Sequence, residues 1–98
     1  MSLPVVLRHQ AAEELLAACD YLEAQRPGLS SQLIAEVRRA LERISSHPEL
    51  HGKVLGDIRR AAVRRFPYSV FYRVMPLRIE VLAVFHDSRD PAGWQSRT

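Results

Sequence analysis

The apolar residues of this 98-residue chain change their spacing once, near Pro48, and that change constrains the fold more than any other feature. Before it, Ala12, Leu15, Leu16, Cys19 and Leu22 fall at i, i+3, i+4, i+7 and i+10, one face of a helix. Leu33, Val37, Leu41 and Ile44 form a second stripe, with Ile34 beside it. After Pro48, Tyr68, Val70, Tyr72 and Val74 alternate with Ser69, Phe71 and Arg73, which is the period of a strand. A chain that reads as helices and then strands folds as α+β, with its helices gathered on one face of an antiparallel sheet.

The punctuation sets the expected boundaries. Leu3 to Leu7 is a short apolar run with Pro4 near its start, where a missing N–H does least harm to a strand. A helix follows from about Gln10 to about Gln25. Its start has His9 where a capping Ser, Thr or Asp would be preferred, while Glu13 and Glu14 suit the dipole of its first turns. Arg26-Pro27-Gly28 stops it, and a second helix runs from Ser30, or a residue or two earlier, to about Ser45. So short a turn makes the pair an antiparallel hairpin. His47 to Gly56 reads as a loop, Asp57 to Arg65 as a strand, Phe66-Pro67 as a turn and Tyr68 to Val74 as a half-exposed strand. Arg78 to His86 is a last strand whose near-continuous apolar run places it centrally in the sheet. The expected order is β-α-α-β-β-β, a meander preceded by one strand and covered on one face by the hairpin.

A chain of this length buries a little over ~60% of its unfolded surface, so one domain over residues 1–98 with one core is expected, and a two-lobed cofactor enzyme is excluded. The longest apolar runs, such as Val81 to Phe85, are five residues, far short of the roughly 20 of a membrane helix. The N-terminus lacks the pattern of a signal peptide. The single cysteine, Cys19, lies in the helical stripe and reads as a buried structural thiol. A cytoplasmic protein with no membrane partner is expected.

Charge is unevenly spread. Residues 1–52 hold five Arg against seven acids, whereas residues 53–98 hold eight Arg and one Lys against four, which together make the net +3. Lys53, Arg59, Arg60, Arg64, Arg65 and Arg73 are opposed by Asp57 alone between residues 53 and 73. Strand alternation sends Arg60 and Arg64 to one face and Arg59 and Arg65 to the other. At least two of them must then stand on the uncovered face, with Arg73 a candidate neighbour. Arginine forks suit phosphate or carboxylate, so this surface reads as one for nucleic acid or an acidic peptide, against the plainer reading of a solvated, charge-blunted sheet.

The other chemistry-bearing residues are sparser. His47 and His51 stand four apart, but Pro48 denies them one helical face and no third ligand accompanies them, so no metal is expected. No Gly-rich phosphate loop occurs, and no cofactor is expected. His86-Asp87-Ser88 is not a triad, because adjacent strand residues alternate sides. His86 alone could act as a base beside arginines that neutralise a phosphate. Tyr21, Tyr68 and Tyr72 could stack on bases, although core and cross-strand packing better accounts for Tyr68 and Tyr72.

Four segments in order carry a resemblance: the hairpin ending in His47-Pro48-Glu49-Leu50, then Ile58-Arg59-Arg60, then Phe66 to Val74, and finally Val81 to Pro91. From about Leu3 to Pro91 the chain resembles the RelE/ParE superfamily of type II toxin–antitoxin toxins. That resemblance implies the same β-α-α-β-β-β fold and one of two activities: ribosome-dependent mRNA cleavage in the RelE branch, or poisoning of DNA gyrase in the ParE branch, the plasmid-stabilisation toxins. Arg60 matches the first basic position of the nuclease pattern on the second strand, and Arg89 matches a later one. Ala62 and Ser69, however, stand where further basic residues belong, and no tyrosine follows Phe85. The long hairpin, and an ending soon after Asp90-Pro91 without a further helix, look like the ParE branch. The resemblance therefore implies a gyrase poison rather than an enzyme, with no catalytic residues and with Arg59, Arg60, Arg64, Arg65, Arg73 and Arg89 as partner contacts beside the C-terminal tail. The nuclease alternative would be metal-independent and use Arg60, Arg73, His86 and Arg89 on ribosome-bound mRNA. A third possibility is an inactive scaffold that binds only its antitoxin. Either branch implies a hetero-oligomer with a cognate antitoxin, here ParD-like, whose acidic amphipathic C-terminal segment folds along the toxin.

Overall fold

A computed structural model describes residues 2–97. Its elements are β1 (Val5–Leu7), α1 (His9–Gln25), α2 (Leu29–Ser46), β2 (Lys53–Leu55), β3 (Ile58–Ala62), β4 (Tyr68–Val74), β5 (Ile79–His86) and α3 (Ala92–Gln95). The strands form one sheet in the order β1-β5-β4-β3-β2. β1 runs parallel to β5, and the remaining pairs are antiparallel. The expected α+β architecture, N-terminal strand and helical hairpin are present, but β4 holds the middle of the sheet, while β5 lies beside it and is flanked on its other side only as far as Val81, where the short β1 ends.

The hairpin turn is closed by an acid from the preceding helix. Gly28 takes φ 94°, which glycine adopts without steric cost. The Glu23 carboxylate then accepts from the Gly28 amide at 3.0 Å, the Ser30 amide at 3.1 Å and the Ser30 hydroxyl at 2.8 Å. These bonds satisfy donors that the start of α2 would otherwise leave open, and they hold the Glu23 carboxyl below its ordinary range.

The main core lies between the hairpin and the sheet, where Leu33, Val37 and Ile44 of α2 meet Tyr68, Val70, Tyr72, Val81 and Val84. A second cluster on the opposite face contains Ile58, Phe71, Leu82, Ala83, Phe85 and Trp94. Between them, β5 carries a bulge: Phe71 pairs with Ala83 and the next residue, Tyr72, pairs with Val81, which leaves Leu82 unopposed. The bulge resets the alternation, so Leu82 and Ala83 join the second cluster while Val81 and Val84 both serve the first. Cys19 is half-buried and packs against the main core, and burial raises its thiol pKa, aided by Asp20 and Glu23.

Several expectations need correction. Within the expected loop, Lys53–Leu55 is an edge strand; all three side chains are exposed, so backbone pairing with β3 makes it a strand without any apolar alternation. β3 stops at Ala62 because the chain turns, with Arg65 at φ 70°, so Arg64 and Arg65 take no part in strand alternation. β4 is buried on both faces from Tyr68 to Tyr72 rather than half-exposed. Its second cover comes from the C-terminal segment, which does contain a further short helix. Trp94 of α3 is 3% exposed and stacks on Phe71 with ring centroids 4.1 Å apart. Gly93 permits this docking, since a Cβ there would stand 2.7 Å from Phe85 Cζ. Among the described residues, no helix is long and apolar enough to cross a membrane.

Candidate functional site

Two short segments build a cleft at the end of β5. After His86 the chain turns through Asp87 and Arg89 and returns by Pro91 to α3, leaving a space of about 140 Å³ between this segment and Arg60, Phe71 and Phe85. Asp87 is its organising anion. Its Oδ1 accepts from the Ser69 hydroxyl at 2.7 Å and lies 3.6 Å from Arg60 Nη2. The Arg89 guanidinium sits 4.0 Å above the centroid of the Phe85 ring, a cation–π contact that holds it at the cleft mouth. His86 and Arg89 also border a second groove of about 190 Å³, shared with Tyr21, Tyr68 and Ala17. One continuous surface with two guanidinium groups therefore runs around the end of the strand.

The His86 ring is oriented by its neighbours. It packs edge-on to Tyr68 at 5.0 Å, and its Nδ1 accepts the Ser88 amide at 3.1 Å with the Ser88 hydroxyl 2.8 Å away. An Nδ1 that accepts from a backbone N–H leaves the proton of the neutral ring on Nε2. In that form the free nitrogen is a donor. It can hold an acceptor in place, and the ring would take a proton only if it gave up the Ser88 amide.

The expected site residues are dispersed over the molecule. Arg60 and Arg89 meet at the cleft with His86. Arg73, the fourth member of the nuclease set, is elsewhere, its Nε donating to both Asp57 oxygens at 3.0 and 3.1 Å. Arg59 points to the helical side, where its Nη1 donates to the His51 carbonyl at 2.6 Å and the Glu49 carbonyl at 3.2 Å. Arg65 Nε lies 3.9 Å from the shielded carboxylate of Glu36 on α2, and Arg64 is exposed in the turn. Tyr72 is buried with its hydroxyl donating to the Pro48 carbonyl at 2.8 Å, and Tyr21 is 61% exposed.

Other contacts were hidden from sequence reasoning. With α1 starting at His9, Glu14 lies beyond the first turn and serves no dipole; its carboxylate binds Arg97 instead. His51 sits beside Tyr72, and its pKa is lowered by burial and then by the nearby charges of Arg43 and Arg59. Arg43 therefore belongs beside the β3 cations although it comes from α2. No spacing in the sequence signals either relationship.

The sequence model of the ParE toxin of the type II toxin–antitoxin system parDE matches residues 5–91. The chain belongs to this family. Among solved structures, this ParE-family chain is similar to one described as the chromosomal ParDE TA system from P. aeruginosa, with a TM-score of 0.77 and 16% identity over 87% of this chain and 96% of that one. At that identity the likeness speaks for the fold. No curated protein matches. The family covers β1 to the cleft segment, so the arrangement of Arg60, His86 and Arg89 lies inside a ParE toxin.

Proposed function

We propose that this toxin of a type II toxin–antitoxin system acts in the cytoplasm by poisoning DNA gyrase, with Arg60 and Arg89 at the β5 cleft as contacts to its target. The observation that carries a binding role for the cleft is the orientation of His86, which offers a donor beside two guanidinium groups rather than a base. Hydrolysis of a phosphodiester needs a proton acceptor at the nucleophile, whereas a poison needs only a surface that holds one state of its target. The partner in the resting state is a ParD-like antitoxin. The basic second half of the chain and the grooves beside it suit an acidic amphipathic segment that folds on binding.

The test mixes antitoxin-free protein with DNA gyrase, ATP and supercoiled plasmid. Trapped linear DNA, absent without gyrase and abolished by prior addition of the antitoxin, is the expected result. Folded protein that yields none would overturn the gyrase reading.

A further inference from the structure

A line of cations along the seam between α2 and β3 is separate from the β5 cleft. At one end, Arg39 and Arg65 share the Glu36 carboxylate at 3.0 and 3.9 Å. Arg43 follows Arg39 by four residues on the same side of α2, about 6 Å further along. Its charge acts on His51 together with that of Arg59, whose guanidinium is fixed on the His51 carbonyl at 2.6 Å. Lys53 is the register partner of Arg59 across β2 and β3. Of the described acids along these five cations, Glu36 is the one ion-paired to them, and Glu49 stands beside Arg59. Arg43 and Lys53 have no ion-pair partner among the described residues, and Glu42, which lines a groove with Arg38 and Ser45, pairs with none of the five.

We infer that this ridge binds the phosphate backbone of duplex DNA without reading its sequence. A row of guanidinium and ammonium groups matches a regular polyanion. The ridge itself offers no apolar cleft of the kind an amphipathic peptide needs; the nearby one, lined by Leu3, Pro48, Glu49, Leu50 and Val74, meets the row only where Arg59 bonds the Glu49 carbonyl. Tyr72, beneath the row, is buried with its hydroxyl engaged and offers no face on which single-stranded bases could stack. The inference stands apart from the gyrase reading, because the duplex is bound with no gyrase present.

The experiment is fluorescence anisotropy of a labelled duplex of about 20 base pairs, titrated with antitoxin-free protein across a salt series beginning near 50 mM. Contacts from Arg43, Lys53 and Arg59 predict that log K falls against log salt with a slope of about −2.7, at about 0.9 per phosphate. The Arg43→Gln/Lys53→Gln variant should lose about tenfold or more in affinity at the lowest salt, and its slope should shrink to about −0.9. The matched control is Arg26→Gln/Arg38→Gln, which removes the same charge from exposed positions off the ridge and should bind as the parent does. Absence of binding at low salt would overturn the inference. So would equal losses in the two variants, which would make the effect one of net charge, or tighter binding of a single-stranded RNA through the same residues.

Discussion

Glu14 of α1 and Arg97, 83 residues apart, form a two-pronged ion pair with Nη1–Oε1 at 3.0 Å and Nη2–Oε2 at 2.7 Å. Both side chains are shielded, at 13% and 14% exposure. The pair sits where β1 has ended and the edge of β5 would otherwise be open. Glu14 Oε1 accepts the Val84 amide at 3.1 Å, and Arg97 Nη1 donates to the Leu82 carbonyl at 3.2 Å. Two side chains thus take the place of a neighbouring strand beside the bulge, and they tie the C-terminal segment to the hairpin.

Arg97→Ala should therefore destabilise the fold by ~2–3 kcal/mol, because it strands a shielded carboxylate as well as removing charge-assisted hydrogen bonds. Urea unfolding measures this. The double variant Glu14→Gln/Arg97→Ala should cost less than the sum of the single changes, since neither leaves a lone charge once both are gone. Strict additivity would show that the two groups do not interact.

Gly93→Ala should loosen α3 from the sheet. Its Cβ would stand 2.7 Å from Phe85 Cζ, and Phe85 is itself buried at 2% exposure with little room to yield. Overpacking of this kind costs ~1–3 kcal/mol. Trp94 is the only tryptophan, so its emission reports on this helix alone and should shift to longer wavelength in the variant. An unchanged spectrum and melting temperature would mean the aromatic cluster tolerates the added methyl.

Acid should weaken the hairpin turn and the pairing around β5. Glu23 is held below its ordinary pKa by the Gly28 and Ser30 donors, and Glu80 by Arg78 and then Arg8. A depressed carboxyl contributes stability in full above its unfolded pKa, near 4.5, and loses it as pH falls through the lower folded value. Stability measured from pH 6 downward should thus drop below about 4.5, with a shallower drop in Glu23→Gln.

His51 adds a second window of the same sign. Burial lowers its pKa from 6.5, with Arg43 and Arg59 reinforcing the effect, so the unfolded chain takes up its proton first as pH falls. Stability should decline below 6.5 in the parent protein and stay flatter over that range in His51→Gln. Denaturant midpoints compared at pH 7.5 and 5.5 decide this, and identical pH dependence in the two proteins would remove His51 as the cause.

At the cleft, Arg60→Ala and Arg89→Ala should each lower gyrase poisoning severalfold while leaving the melting temperature nearly unchanged, because both side chains are largely solvent-facing. Arg73→Ala should do the reverse. It loosens the segment around Asp57 and leaves poisoning intact, since Arg73 is bound to that carboxylate away from the cleft. His86→Ala should weaken activity without abolishing it. Complete loss in a folded His86→Ala protein would favour a chemical role for the ring.

Periodicity was enough to place both helices, the last strand and the α+β order, because apolar spacing reflects which face each element buries. Even the hairpin was legible from three residues, Arg26, Pro27 and Gly28. β2 was not: an edge strand held by backbone hydrogen bonds leaves no trace in its side chains. The cover over Phe71 also escaped, since a four-residue helix has no period to read and its anchor is one tryptophan reaching across the sheet.

The basic character of the second half was likewise plain from composition, but not its distribution. Local alternation assigned Arg59, Arg60, Arg64 and Arg65 to two faces of one strand. The turn at Arg65 and the carboxylates of Asp57, Asp87 and Glu36 divided the arginines into separate sites instead. Electrostatic pairing acts through space between segments far apart in the chain, as Glu14 and Arg97 show. Residue order therefore specifies which elements form and which faces they bury, whereas the neutralisation of each charge, and hence which cations remain free for a partner, follows from packing in three dimensions.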